Sequence, residues 1–205
     1  MSIALPTPPE HPRSLVYFGS PDAAVPPLLK LVEAGFEIPL VVSMPDRRRT
    51  RRAAPSPTPV KKAALDLGIP VTDQISDALS VEADCGVVVA YGQIIGVEFL
   101  MKLPMVNVHF SLLPRWRGAA PVERAILAGD QSTGICIMGL EPELDAGPVY
   151  RKREIPIDDQ ITASELTGEL AALGAEELVA ALQHGLSNAQ PQEGKVTIAK
   201  KLFRS

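Results

Sequence analysis

Apolar residues along the chain fall into short runs separated by turns that carry Gly or Pro. The runs at 15–18, 38–42, 69–71, 85–91, 105–108 and 134–140 have strand length and little polar interruption, and a further strand is predicted over 148–157. Between them the spacing lengthens to that of a helix. Leu28, Leu29 and Val32 fit a short amphipathic helix stopped at Gly35, with Pro26 and Pro27 confined to its first turn. Further helices are predicted over 60–67, stopped by Gly68, over 95–103, and over 122–128, opened by Pro121. Thr162 and Glu165 form a capping box before a long stretch carrying Leu166, Leu170, Leu173, Leu178 and Leu182, with Gly174 a candidate break in it. Residues 196–198 are predicted to add a small strand. Strand, helix and strand over 15–42 make one βαβ unit and imply a parallel sheet. The unbroken run CGVVVAY at 85–91 is that of a central strand buried on both faces.

One strand departs from the apolar rule. In MVNVHF, starting at Met105, Asn107 and His109 lie at i and i+2, so an amide and an imidazole project from the same face near the strand's end. A loop rich in Pro, Arg and Gly follows, then a helix start. This is the layout of the carboxyl edge of an open α/β sheet, where such folds bind ligands. Asn107 capping a turn and His109 as a satisfied, partly buried histidine would give the same pattern.

Composition narrows the class. Of the 205 residues, 46% are hydrophobic, enough for a real core. No apolar run reaches the length of roughly 18 residues that a membrane span needs. The first 13 residues read as a flexible Pro-rich lead, not a signal peptide. Two lone cysteines, Cys85 and Cys136, both in apolar contexts, suit a reducing cytoplasm. His11, His109 and His184 are far apart and form no metal-ligand spacing, so no metal is expected. The net charge of −4 excludes a generic nucleic-acid binder.

The charge is uneven, however. The loop over 45–59 carries Arg47, Arg48, Arg49, Arg51 and Arg52. Such a cluster repels itself and does not pack; it fits a solvated connector and a phosphate-binding loop equally well. Asp145, in an acidic turn before Gly147, is either an ordinary turn aspartate or a carboxylate brought over His109. With no GxSxG, and neither Cys beside a His, a covalent acyl-enzyme is not expected. Asn107, His109 and Asp145 suit direct transfer instead: an amide donor for an oxyanion, an imidazole to move a proton, a carboxylate to orient it.

Residues 107–122, NVHFSLLPRWRGAAPV, resemble the signature of the 10-formyltetrahydrofolate-dependent formyltransferases, and the WRGAAP continuation resembles the methionyl-tRNA branch of that family. FGSPD at 18–22, AYG at 90–92 and LDAG at 144–147 agree with it. The resemblance runs from about Ser14 to the end. It implies a doubly wound, mostly parallel open sheet with helices on both faces, a Rossmann-like formyltransferase fold. It implies a formyltransferase domain over 14–190 and the start of a linker over 191–205, with a C-terminal β-barrel domain missing. By the same resemblance Asn107, His109 and Asp145 are catalytic. The folate pocket comprises Tyr91, Gly92, Gln93, Ile94, Ile95, Ser111, Leu112, Leu113, Pro114, Pro142 and Leu144. The five arginines meet the acceptor arm of methionyl-tRNA. The expected activity is formyl transfer from 10-formyltetrahydrofolate to methionyl-tRNA, without a metal, in a cytoplasmic monomer. The competing acceptors are small amines such as glycinamide ribonucleotide or an amino sugar; an inactive folate- or RNA-binding remnant is the non-enzymatic reading. Phe110, Ala23 and Ala146 stand where the family pattern commonly has a small residue, Phe and Thr.

Overall fold

The computed structural model describes residues 5–46, 48 and 54–202. Seven strands form one sheet: β1 (Ser14–Gly19), β2 (Glu37–Val42), β3 (Val71–Thr72), β4 (Cys85–Val89), β5 (Met105–His109), β7 (Ser132–Gly139) and β8 (Val149–Pro156). Their order is β3-β2-β1-β4-β5-β7-β8. The first five are parallel, and β7 and β8 run antiparallel. The chain works outward from β1 to β3, then returns to lay β4 and β5 on the other side, which is the doubly wound topology. Two short strands, β6 (Arg117–Gly118) and β9 (Ile198–Ala199), pair separately.

The strand alternation decides which side chains meet the helices. Leu15, Tyr17, Cys85, Val87, Val106, Val108, Ile135 and Ile137 point to one face. There they pack against α1 (Val25–Glu33), α2 (Pro59–Asp66), α4 (Pro121–Leu127) and α5 (Ala163–His184). Val16, Phe18, Val42, Val88 and Met105 point to the other. Among the described residues that second face is covered by a 3-10 turn over Ile75–Leu79, the one-turn α3 (Val97–Leu100) and loops.

Local chemistry accounts for the helix ends. Thr58 accepts from the Lys61 amide before Pro59 opens α2. Thr162 and Glu165 close a complete capping box on α5. That helix runs unbroken for 22 residues, so Gly174 does not divide it. A Cβ there would stand 2.8 Å from a Val108 methyl, so the missing side chain lets α5 lie close on the sheet. α3 is shorter than the predicted 95–103 because Ile95 is drawn into the second core and Gly96 is extended. Residues 5–13 carry no helix or strand; their end is fastened where Leu186 donates to the Glu10 carbonyl and where Asp84 accepts from the amides of Arg13 (2.6 Å) and Ser14 (2.9 Å).

Candidate active site

Asn107 and His109 lie on β5 and project from the thinly covered face, as their spacing requires. The amide of Asn107 is half-buried and has no side-chain hydrogen bond among the described residues. His109 is 6% exposed and held from both sides. Its Nε2 lies 2.9 Å from the Trp116 carbonyl oxygen. A carbonyl only accepts, so Nε2 carries a hydrogen. Nδ1 stands 3.6 Å from Asp145 Oδ2, just beyond a hydrogen bond and within reach of a proton or a bridging water. Asp145 itself is anchored by the Gly118 amide, which donates to the same Oδ2 at 2.7 Å.

Two loops bring these groups together, and both are bent into left-handed backbone. After β5, Ser111 Oγ donates to the Arg115 carbonyl at 2.6 Å and closes a turn. Trp116 then takes φ +62°, which aims its carbonyl at His109. In the β7–β8 hairpin Asp145 takes φ +49°. Non-glycine residues in this region are strained by about 1–3 kcal/mol each and persist only where neighbours hold them. The neighbours here come from the end of the chain. Thr197 Oγ1 accepts from the Trp116 amide, and the Arg117 and Ala119 amides donate to the Thr197 and Ala199 carbonyls. The Gln192 side chain joins the loops, donating to the carbonyls of Asp145 and Gly147 and accepting from Arg117.

The residues expected to receive folate sit on the loops that follow β4 and β5 and in the β7–β8 hairpin. Tyr91 is buried, and its hydroxyl donates to Gln93. Burial, with a smaller contribution from Asp73, pushes its phenol above the ordinary range. Ala90 (φ +45°) and Gly92 (φ +89°) turn the chain sharply after β4, and Ile94 stands 89% exposed beyond them. Leu144 is also exposed, Ile95, Ser111 and Leu113 are buried, Leu112 is half-buried, and Pro142 is at the surface.

Other sequence expectations resolve differently. Of the arginine cluster only Arg48 falls within the described residues, and it is exposed; Arg47, Arg49, Arg51 and Arg52 lie outside them. The base of that loop is fixed by Lys61 with Asp46 (2.7 Å) and by Ser20, whose Oγ accepts from the Met44 amide and donates to the Tyr91 carbonyl. Arg115 pairs with Asp130, stacks over Trp116 at 4.6 Å, and holds the Asp130 carboxyl below the usual range. That cluster helps line a cavity of about 260 Å³, to which Asn107, His109 and Asp145 do not contribute. Arg117 is buried and paired with Glu143 and Gln192. Cys136, opposite His109 in the β5–β7 ladder, is fully buried, and burial drives its thiol up to about 11. Among the described residues no cluster of three His, Cys, Asp or Glu could hold a metal ion, and no helix is long and apolar enough to cross a membrane.

Sequence reasoning missed Gln192, Thr197 and the Gly118 amide. Each acts across 27 residues or more, so local pattern carried no sign of the contact.

Residues 15–182 match the family described as formyl transferase. The chain belongs to the formyl transferase family. Over 204 residues this formyl transferase is 45% identical to a methionyl-tRNA formyltransferase of Cutibacterium acnes, covering 92% of this chain and 64% of that one. It is 42% identical over 205 residues to the enzyme of the same name from Methylococcus capsulatus, covering 93% and 67%. The chain thus spans about two thirds of the length of these curated relatives. Its fold is shared with a Helicobacter canadensis N-formyltransferase solved with folinic acid and dTDP-3-aminofucose (TM-score 0.70, 17% identity, covering 88% of this chain and 67% of that one). It is also shared with phosphoribosylglycinamide formyltransferase from Bacillus halodurans (TM-score 0.67, 22% identity, covering 83% and 93%).

Proposed function

We propose that this formyl transferase domain moves the formyl group of 10-formyltetrahydrofolate to the amino group of methionyl-tRNA, as a cytoplasmic monomer. One observation carries the proposal: an unpartnered Asn107 amide stands on the same strand face as a His109–Asp145 pair 3.6 Å apart, in a chain 45% identical to a methionyl-tRNA formyltransferase.

The acceptor amine attacks the formyl carbon, and the carbonyl oxygen becomes an oxyanion. The Asn107 N–H donates to it; a donor of this kind contributes about 10²–10³ in rate. Nε2 of His109 already carries its hydrogen, so Nδ1 is the nitrogen with a lone pair to take the amine's proton. The cation so formed lies against the Asp145 carboxylate and the Trp116 carbonyl, both acceptors. Collapse breaks the bond from carbon to the folate nitrogen, and His109 returns the proton to that nitrogen. Tetrahydrofolate leaves, and the acceptor keeps the formyl group as an amide. The step calls for no metal or redox group. Tyr91–Ile95, Ser111–Pro114, Pro142 and Leu144 receive the folate, and the arginines at 47–49, 51 and 52 receive the phosphates of the acceptor arm.

The test is formyl transfer from 10-formyltetrahydrofolate to methionyl-tRNA, glycinamide ribonucleotide and a nucleotide-linked amino sugar, at two salt concentrations. Methionyl-tRNA should be the preferred acceptor, with a rate constant at limiting tRNA that falls as salt rises, because each phosphate contact contributes roughly 0.7–0.9 to the log–log slope. Preference for either small amine, with no salt dependence, would overturn the acceptor and turn the arginine loop back into a solvated connector.

A further inference from the structure

We infer that Gln192 is a positioning residue for formyl transfer, clamping the two strained loops that hold His109. This rests on the formyl-transfer reading above. The side chain is half-buried and uses its whole hydrogen-bonding capacity. Nε2 donates to the carbonyls of Asp145 and Gly147, both at 2.8 Å. Oε1 accepts from Nε and Nη2 of Arg117 at 3.0 and 2.9 Å. The partners leave no choice of amide orientation, since a guanidinium only donates and a carbonyl only accepts.

The geometry makes this more than a surface contact. Asp145 sits at φ +49°, and the two carbonyls that Gln192 grips flank that residue's turn. Arg117 follows Trp116, whose carbonyl holds Nε2 of His109, and precedes Gly118, whose amide holds Asp145 Oδ2. One carboxamide therefore ties the side chain of Arg117, the residue between Trp116 and Gly118, to the backbone of the Asp145 turn. The loops are also joined by Arg117 with Glu143 and by the Gly118 amide with Asp145, but among the described residues Gln192 alone donates to the Asp145 and Gly147 carbonyls. Gly118 (φ +117°) has room for no side chain, since a Cβ there would meet the Ala199 carbonyl oxygen at 2.8 Å. Without the clamp the Asp145 turn is free to relax toward ordinary backbone and carry its carboxylate away from the ring. The segment after α5 thus completes the site, and it also meets the expected folate residues at Pro114, whose carbonyl accepts from the Thr197 amide at 3.3 Å.

Two variants in the full chain separate positioning from bulk. Gln192→Ala removes all four bonds. Gln192→Glu keeps an acceptor for Arg117 but loses both donors to the Asp145 turn. In both, kcat for formyl transfer to methionyl-tRNA should fall by about 10²-fold, the loss expected when a catalytic group moves by about 1 Å. KM for 10-formyltetrahydrofolate, two of whose expected contacts, Pro142 and Leu144, lie on the same turn, should change far less than kcat. Hydrogen exchange of the Gly118 amide, read in the free protein, should accelerate as its bond to Asp145 loosens. Wild-type kcat with wild-type Gly118 protection in Gln192→Glu would overturn the clamp. So would a loss of kcat matched by a rise in KM and a general fall in Tm, which marks a structural role alone. A wild-type protein that transfers formyl to no acceptor would sink the formyl-transfer reading and leave the clamp to be judged on Gly118 exchange.

Discussion

On one face of the sheet, four helices press against alternate strand residues, and Val87, Val106, Ile135, Leu170 and Leu178 join one apolar core. On the other, β5 ends beneath loops and a single turn of helix, and its outward residues are Asn107 and His109. The same strand serves both sides: Val106 and Val108 belong to the helix-covered core, and the residues after each belong to the site. The lesson is one of placement. A polar pair can be held on a rigid strand only where the opposite face supplies the burial that keeps the strand in register. The thinly covered face is then left open to substrate.

Three measurements would break or sharpen that contrast. Leu170→Ala, at a fully buried position of α5, should lower stability by about 2–5 kcal/mol while kcat below the new melting range stays near wild type; denaturant unfolding read beside turnover checks both. A kcat that falls in step with stability would mean the two faces are not separable. Asn107→Ala and His109→Ala should do the reverse, losing about 10²–10³ in kcat, or roughly 2.7–4 kcal/mol of transition-state stabilisation, with the fold intact. Near-normal turnover in either variant removes that residue from the mechanism. The smallest effect belongs to the amino edge of the sheet, away from the site. The amides of Ser14 and Arg13 hold the exposed Asp84 carboxyl below its ordinary range. A depressed folded pKa stabilises the protein above the unfolded pKa, near 3.9, and that contribution disappears as pH falls through the folded value. Asp84→Asn should therefore lower Tm slightly at neutral pH and converge with wild type in acid, with kcat unaffected throughout. A Tm difference that persists below the folded pKa would show that the charge is not the cause.

The sequence carried this contrast unequally. Strand positions were readable wherever a run of apolar residues was buried on both faces, as in β1 and β4. The i, i+2 spacing of Asn107 and His109 placed them correctly because strand periodicity admits one answer. The helix-covered face was nearly as clear, except that Gly174 looked like a break and proved to be a point of close approach. What local pattern does not encode is contact between distant segments. Nothing around Gln192 or Thr197 announces a partner, and nothing in Trp-Arg-Gly or Leu-Asp-Ala predicts left-handed backbone at Trp116 and Asp145, since glycine would be the ordinary occupant. Arg117 reads as a loop cation and is instead buried, because its partners arrive from the β7–β8 hairpin and the tail.

The two thiols give this molecule a pair of native clocks. Cys85 points into the helix-covered core and Cys136 lies on the side of the site, and both are fully buried. Burial raises Cys85 to about 12 and Cys136 to about 11, so neither offers thiolate to a reagent while the sheet is closed. Modification of either thus reports an opening event rather than surface chemistry. Cys136, under the loops of the site, should therefore label before Cys85, under the helical layer. The interval between the two labelling times measures how independently the layers of one small domain come apart.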